Sequence, residues 1–220
     1  MTMTCDKVIN IALQEVGYLE KRSGKDLDNK TANAGSANYT KYGRDMGCNG
    51  YAWCDAYVDW CFVKAYGKET AKRLLGGFSN YTPTSAAYFK KMNRYYKIPQ
   101  KGDIIFFKNA QRICHTGIVT GVSNGTVYTI EGNTSKGSSV IRNGGGVYQK
   151  QYSISNSRIA GYGRPDYSVL STKVDDFGNL KATAEYKKIR DKIGLTESTM
   201  QFLCKHKKAD ILLKKIANAI

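Results

Sequence analysis

The run from Tyr51 to Phe62 constrains this chain more than any other stretch. Gly50 closes a polar segment, and an aromatic-rich apolar run begins at once. Cys54, Val58, Cys61 and Ala65 recur at helical spacing, and Tyr57, Trp60 and Phe62 widen that face. The pattern predicts a deeply buried helix with Cys54 in its first turn. There the unpaired backbone N–H groups and the helix dipole favour a thiolate over a thiol. Cys54 is therefore a candidate nucleophile.

A thiol nucleophile needs a base to take its proton, and an imidazole base needs an orienting acceptor. The chain has only two histidines, His115 and His206. His115 leads the run His115–Val122, which reads as a strand. The next strand, Thr126–Ile130, ends in Glu131–Gly132–Asn133. The chain order is thus a cysteine, a histidine, then an acid or an amide. Glu131 and Asn133 compete for the orienting position, since residues two apart on a strand share a face. His206, among lysines in Cys204–Lys208, reads as a solvated helix residue.

The other cysteines invite blander readings. Cys61, two turns along the helix, is core. Cys114 points away from His115 on its strand and is packing. Cys5, Cys48 and Cys204 are given no role. No CxxC pair occurs, so no structural metal is expected. Asp26, Asp28 and Asn29 offer oxygens of the kind calcium takes, but their loop lacks dense ligand spacing, and no cofactor is expected.

Helices precede strands along the chain, which makes the fold class α+β rather than alternating α/β. A first helix is expected over Asp6–Glu20, with Thr4 as its N-cap. Lys21–Gly50 reads as a long loop anchored by Tyr39 and Tyr42. Lys68–Leu75 is a helix closed by Gly76–Gly77, and Thr82–Pro83 opens another that runs to about Met92. Strands follow at Ile104–Phe107, His115–Val122, Thr126–Glu131, Val147–Tyr152 and Ile159–Gly163, joined by short turns as in an antiparallel sheet. Residues 168–180 read as a linker. Residues 181–220 read as three helices with Ile211, Leu212, Ile216 and Ala219 on one narrow face. A segment of that size buries little alone, so it is a candidate wall-binding or oligomerisation element.

The net charge of +16, from 34 Lys and Arg against 18 Asp and Glu, calls for an anionic partner. No interleaved basic and aromatic stacking pattern points to nucleic acid, and no apolar stretch is long enough to span a membrane. The N-terminus lacks the basic-then-apolar order of a signal peptide, so synthesis in the cytoplasm is expected, with action on its target after release.

Several of these runs together resemble a CHAP domain: Trp53–Cys54–Asp55, Val58–Asp59–Trp60–Cys61, Gly102–Phe107, His115–Val119 and Thr129–Thr134. Gly161–Tyr162–Gly163–Arg164–Pro165 is similar to the end of such domains in phage and prophage endolysins of Gram-positive hosts. The resemblance covers roughly residues 5–167, and a catalytic domain over 1–167 is expected. It implies a papain-like fold, with N-terminal helices on a twisted antiparallel sheet and a small helical segment behind. It also implies cleavage of an amide bond in bacterial peptidoglycan, by an N-acetylmuramoyl-L-alanine amidase or an endopeptidase. Cys54 then corresponds to the nucleophile, His115 to the base, Glu131 to its orienting residue and Asn133 to a further polar position. Trp53 and Asp55 are candidates for the substrate cleft. The competing reading is a basic, non-catalytic module that grips an anionic wall polymer.

Overall fold

The computed structural model describes residues 5–137, 139–141, 143–170, 183–204 and 209–220. Thr4, His206 and most of the 168–180 segment lie outside the described residues. The chain separates into two compact units, Met1–Asp166 and Tyr167–Ile220.

The first unit is built around the helix that the apolar run predicts. The elements before it are α1 (Asp6–Gln14) and α2 (Lys41–Met46), and the run itself forms α3 (Cys54–Tyr66). Ten of the thirteen residues of α3 are buried, on every side of the helix. A helix apolar all round belongs inside a protein, and α3 is enclosed by α1, α2, α4 (Lys68–Leu75) and the sheet. α4 stops at Gly76 in the left-handed conformation. The next helix, α5 (Thr82–Lys91), begins with Pro83 in its first turn.

The sheet has six strands: β1 (Tyr95–Tyr96), β2 (Ile104–Lys108), β3 (Ile113–Ser123), β4 (Thr126–Thr134), β5 (Gly146–Ser153) and β6 (Ile159–Gly163). Their order is β1-β6-β2-β3-β4-β5, with every pair antiparallel. Ile105, Phe107, Val119, Val127, Tyr152 and Tyr162 pack as one buried cluster. The unit is α+β with a papain-like arrangement of helices and sheet.

Three expectations need correction. α1 ends at Gln14, not Glu20, because Gly17 takes a left-handed φ of 85° and turns the chain away. The long polar loop contains α2, which Thr40 caps by accepting from the Gly43 N–H at 2.9 Å. That helix carries Tyr42 into an aromatic cluster. The Tyr42 ring lies 4.8 Å from Tyr18, 5.4 Å from Trp53, 5.1 Å from Tyr57 and 5.1 Å from Trp60. The strand β1 is also new; it pairs with β6 at the sheet edge.

In the second unit, a 3₁₀ turn at Tyr167–Leu170 is followed by α6 (Ala184–Ile193), α7 (Glu197–Cys204) and α8 (Ala209–Ala219). Tyr186, Ile189, Met200, Cys204, Leu213 and Ala217 form a small core of their own. The inward face of α8 is therefore Leu213 and Ala217, with Ile216 packed at its margin, whereas Ile211 is exposed. The inward face is thus rotated from the expected one, because Leu213 and Ala217, one helical turn apart, are the residues that meet the core of Tyr186 and Met200. No described helix is long and apolar enough to cross a membrane.

Candidate active site

Cys54 is the first residue of α3 and is 5% exposed. No side chain caps this helix start, so its first backbone N–H groups lie beside the sulfur without intrahelical partners. All six cysteines are free thiols. Cys61 and Cys114 are packed in the interior, and Cys204 belongs to the core of the second unit.

His115 projects from β3 and is completely buried. Its Nε2 is 2.9 Å from Oε2 of Glu131, which is also completely buried. Glu131 is held in turn by two hydroxyls. Thr129 donates to Oε1 at 2.6 Å, and Tyr152 donates to Oε2 at 3.2 Å. With three donors converging on it, the carboxylate is fixed in position. Phe107, the cross-strand partner of His115, covers the imidazole with ring centroids 5.8 Å apart.

The geometry commits Nε2 to Glu131, so Nδ1 is the ring nitrogen left for a second partner. Nδ1 is buried and has no hydrogen bond of ordinary geometry among the described residues, yet the thiol is near enough to act on the ring. Burial disfavours the charged imidazole, but the Cys54 sulfur and the Glu131 carboxylate outweigh it and push the His115 pKa up to about 10. A histidine so placed holds a proton at neutral pH when the sulfur beside it is an anion.

Two glycines make this closeness feasible. A Cβ on Gly117 would sit 2.5 Å from Cγ of Glu131, and one on Gly132 would sit 2.6 Å from Cβ of Tyr57. The first lets β3 lie beside the Glu131 side chain; the second lets β4 pack against α3. The sequence shows both glycines within the motif runs, but not what they clear.

Asn133 makes no hydrogen bond to His115 among the described residues. It sits in the irregular stretch of β4 with φ of 55°, and its Oδ1 accepts from the Gly145 N–H at 3.4 Å. Its buried Nδ2 has no partner among the described residues. Trp53 is fully buried; its indole N–H donates to Glu20 at 2.8 Å. Asp55 is also buried, and the Ser85 hydroxyl donates to it at 2.7 Å. Asp28 is paired with Arg44 through two contacts of 2.8 and 2.9 Å, and Asn29 Oδ1 accepts from two backbone N–H groups. Asp28 and Asn29 are thus engaged within the protein, and no group of three or more His, Cys, Asp or Glu side chains placed to hold a metal occurs among the described residues. A half-open cavity of about 250 Å³ lies along α3 at Ala56 and Asp59, lined also by Cys48, Phe78, Ser79 and Asn80; Cys54 does not line it.

Thr129, Tyr152, Glu20 and Ser85 were not anticipated as partners. Thr129 alone had a readable signal, since it lies two residues before Glu131 on the same strand face.

Residues 46–133, which run from the end of α2 through Cys54 and His115 to Asn133, match the family model of the CHAP domain. The chain contains a CHAP domain. CHAP domains are generally cysteine amidases or peptidases, and the thiol, imidazole and carboxylate described above all fall within the matched span. A solved structure, "The crystal structure of Ly7917", is similar at 14% identity, covering 74% of this chain and 62% of its own, with a TM-score of 0.43. The CHAP-containing chain thus spans less than two thirds of that protein. No curated protein matches it.

Proposed function

We propose that the CHAP domain hydrolyses an amide bond of bacterial peptidoglycan, with Cys54 as nucleophile, His115 as base and then acid, and Glu131 orienting the imidazole. The observation that carries this reading is the buried His115–Glu131 hydrogen bond of 2.9 Å beside a cysteine that begins a helix. His115 takes the Cys54 proton. The thiolate adds to the amide carbonyl, and the unpaired N–H groups at the start of α3 face the oxyanion. The tetrahedral adduct collapses to a thioester while His115 protonates the departing amine. Water, deprotonated by His115, then releases the acid and restores the thiol.

The bond is either the one between the muramoyl lactyl group and L-alanine or one within the stem or cross-bridge. The endolysin type, release from the cytoplasm to reach the wall, and wall attachment through residues 181–220 belong to the same reading. Turbidity loss of Gram-positive walls, with native protein and with Cys54→Ala, is the test. Lysis by the native protein alone is expected. Equal lysis by both removes the nucleophile, and binding without lysis by either leaves a basic wall-binding module. Mass spectrometry of the fragments identifies the bond, because a free lactyl carboxyl marks an amidase.

A further inference from the structure

Asp55 follows the candidate nucleophile in sequence, and its side chain is 2% exposed. Among the described residues no cationic side chain is paired with it, in a chain that carries 34 lysines and arginines. An acid buried in this way needs a reason to be present.

Its surroundings supply one. Ser85 of α5 donates to Asp55 at 2.7 Å, tying α5 to the start of α3. Thr82, one helical turn earlier, donates to the Ile113 carbonyl at 3.2 Å, tying the same helix to β3 two residues before His115. α5 is therefore a strut between the helix that holds Cys54 and the strand that holds His115, and Asp55 is its fastening on the cysteine side. The charge of Asp55 also acts on the His115 ring, attracting the imidazolium.

We propose that Asp55 is a positioning residue for the Cys54–His115 pair: through Ser85 it fastens α3 to the α5 strut, which Thr82 ties to the strand of His115. The attraction between its carboxylate and the imidazolium gives the fastening a readout on the ring. This rests on the role assigned to His115 above and extends it.

The groups around Asp55 are few. His115 comes from β3, and its ring is bonded in turn to Glu131 of β4. Asp59, one turn along α3, is buried, and Asp55 repels its ionisation; Asp59 accepts from the Ser79 N–H at 3.1 Å. Cys48, from the loop after α2, feels both carboxyls. In α2, Arg44 is engaged by Asp28 and Asp45. At the end of α1, Glu15 is engaged by Lys41 and Tyr42. α4 turns only Thr70, Ala71, Leu74 and Leu75 inward. Burial raises the Asp55 pKa to about 7, against the pull of Ser85 and His115. Its charge is therefore present in alkali, where the proton on His115 is at stake, and is lost as the solution becomes acid.

The test reads the His115 ring by its ¹H–¹³C NMR signals across the neutral and alkaline range. With two histidines in the chain, His206 serves as the internal control. Asp55→Asn keeps the acceptor for Ser85 and removes the charge. It should lower the His115 midpoint by on the order of one pH unit and leave His206 in place. A folded Asp55→Asn protein with an unchanged His115 midpoint overturns the proposal. In the native protein, ionisation of Asp55 should appear as a smaller inflection of the His115 signal near neutrality. Ser85→Ala, which withdraws the hydroxyl, should move that inflection to higher pH. If Asp55→Asn does not fold, Ser85→Ala decides: identical titrations of native and Ser85→Ala protein overturn the proposal. No substrate enters the measurement, so a native protein inert on cell walls removes the hydrolase reading without touching this result.

Discussion

Replacing Glu131 with glutamine tests the site at its tightest point. The variant keeps the shape of the side chain and removes its charge. Glu131 receives three donors, from His115, Thr129 and Tyr152. A glutamine has one acceptor oxygen, and its NH₂ must face a group that was donating, so at least one of those hydrogen bonds is lost. A hydrogen bond to a charged partner contributes about 1.5–3 kcal/mol, or about one to two pH units on the imidazole. His115, held at about 10 in the native protein, should therefore lose its proton correspondingly earlier. The assay is the initial rate of amine release from purified peptidoglycan as a function of pH. A thiolate–imidazolium pair gives a bell-shaped profile, and the variant's alkaline limb should move down by about one to two units, with about a 10- to 100-fold slower rate at neutral pH. Stability gives an independent reading. Folding raises the proton affinity of His115 from its ordinary 6.5, so the stability it contributes is fully present below that value and is lost as pH rises through about 10. The variant should unfold at lower denaturant than the native protein near neutrality, and the gap should close in alkali. An alkaline limb that stays in place in a folded Glu131→Gln protein refutes the reasoning.

Gly117→Ala should displace Glu131, since the added methyl would lie 2.5 Å from its Cγ. A loss of about 1–3 kcal/mol in urea unfolding, with a larger fractional loss of activity than of stability, is the expected result. Trp53→Phe strands the buried Glu20 carboxylate, whose indole donor is 2.8 Å away. It should cost about 1–3 kcal/mol, seen as a lower melting temperature, while the His115 titration stays in place. A chain ending at Asp166 retains the whole of the first compact unit. It should keep its hydrolysis of soluble wall fragments and lose retention on intact walls; unchanged sedimentation with walls would end the targeting reading of residues 181–220.

The parts of the fold that were legible in the sequence are those with long periodic signals. α3 announces itself through its apolar spacing, and α5 through its N-terminal proline. The five longer strands show as β-branched and aromatic runs. α2 has six residues, three of them charged and one a glycine. It carries little periodicity and exists because Thr40 caps it and Tyr42 is buried by distant rings. β1 is two residues long and takes its structure from β6, far along the chain. At the site, the residues that bear reactive groups stood out because their types are rare, as with one of only two histidines. Their supports did not. Tyr152 is one of 16 tyrosines, and nothing local marks it as the one that reaches Glu131. Ser85 and Thr82 are ordinary helix-start residues whose partners lie 30 and 31 positions away. Long-range side-chain hydrogen bonds leave no periodic trace.

The enclosure of α3 by helices and sheet has a consequence for how the protein fails. A loop-borne nucleophile can drift out of register while its scaffold survives, giving gradual heat inactivation. Here the sulfur rides on the most sheltered segment of the first unit, a segment expected to open only with the whole. Potency and native structure should vanish together on warming, in one step, and whatever refolds should recover its full specific rate.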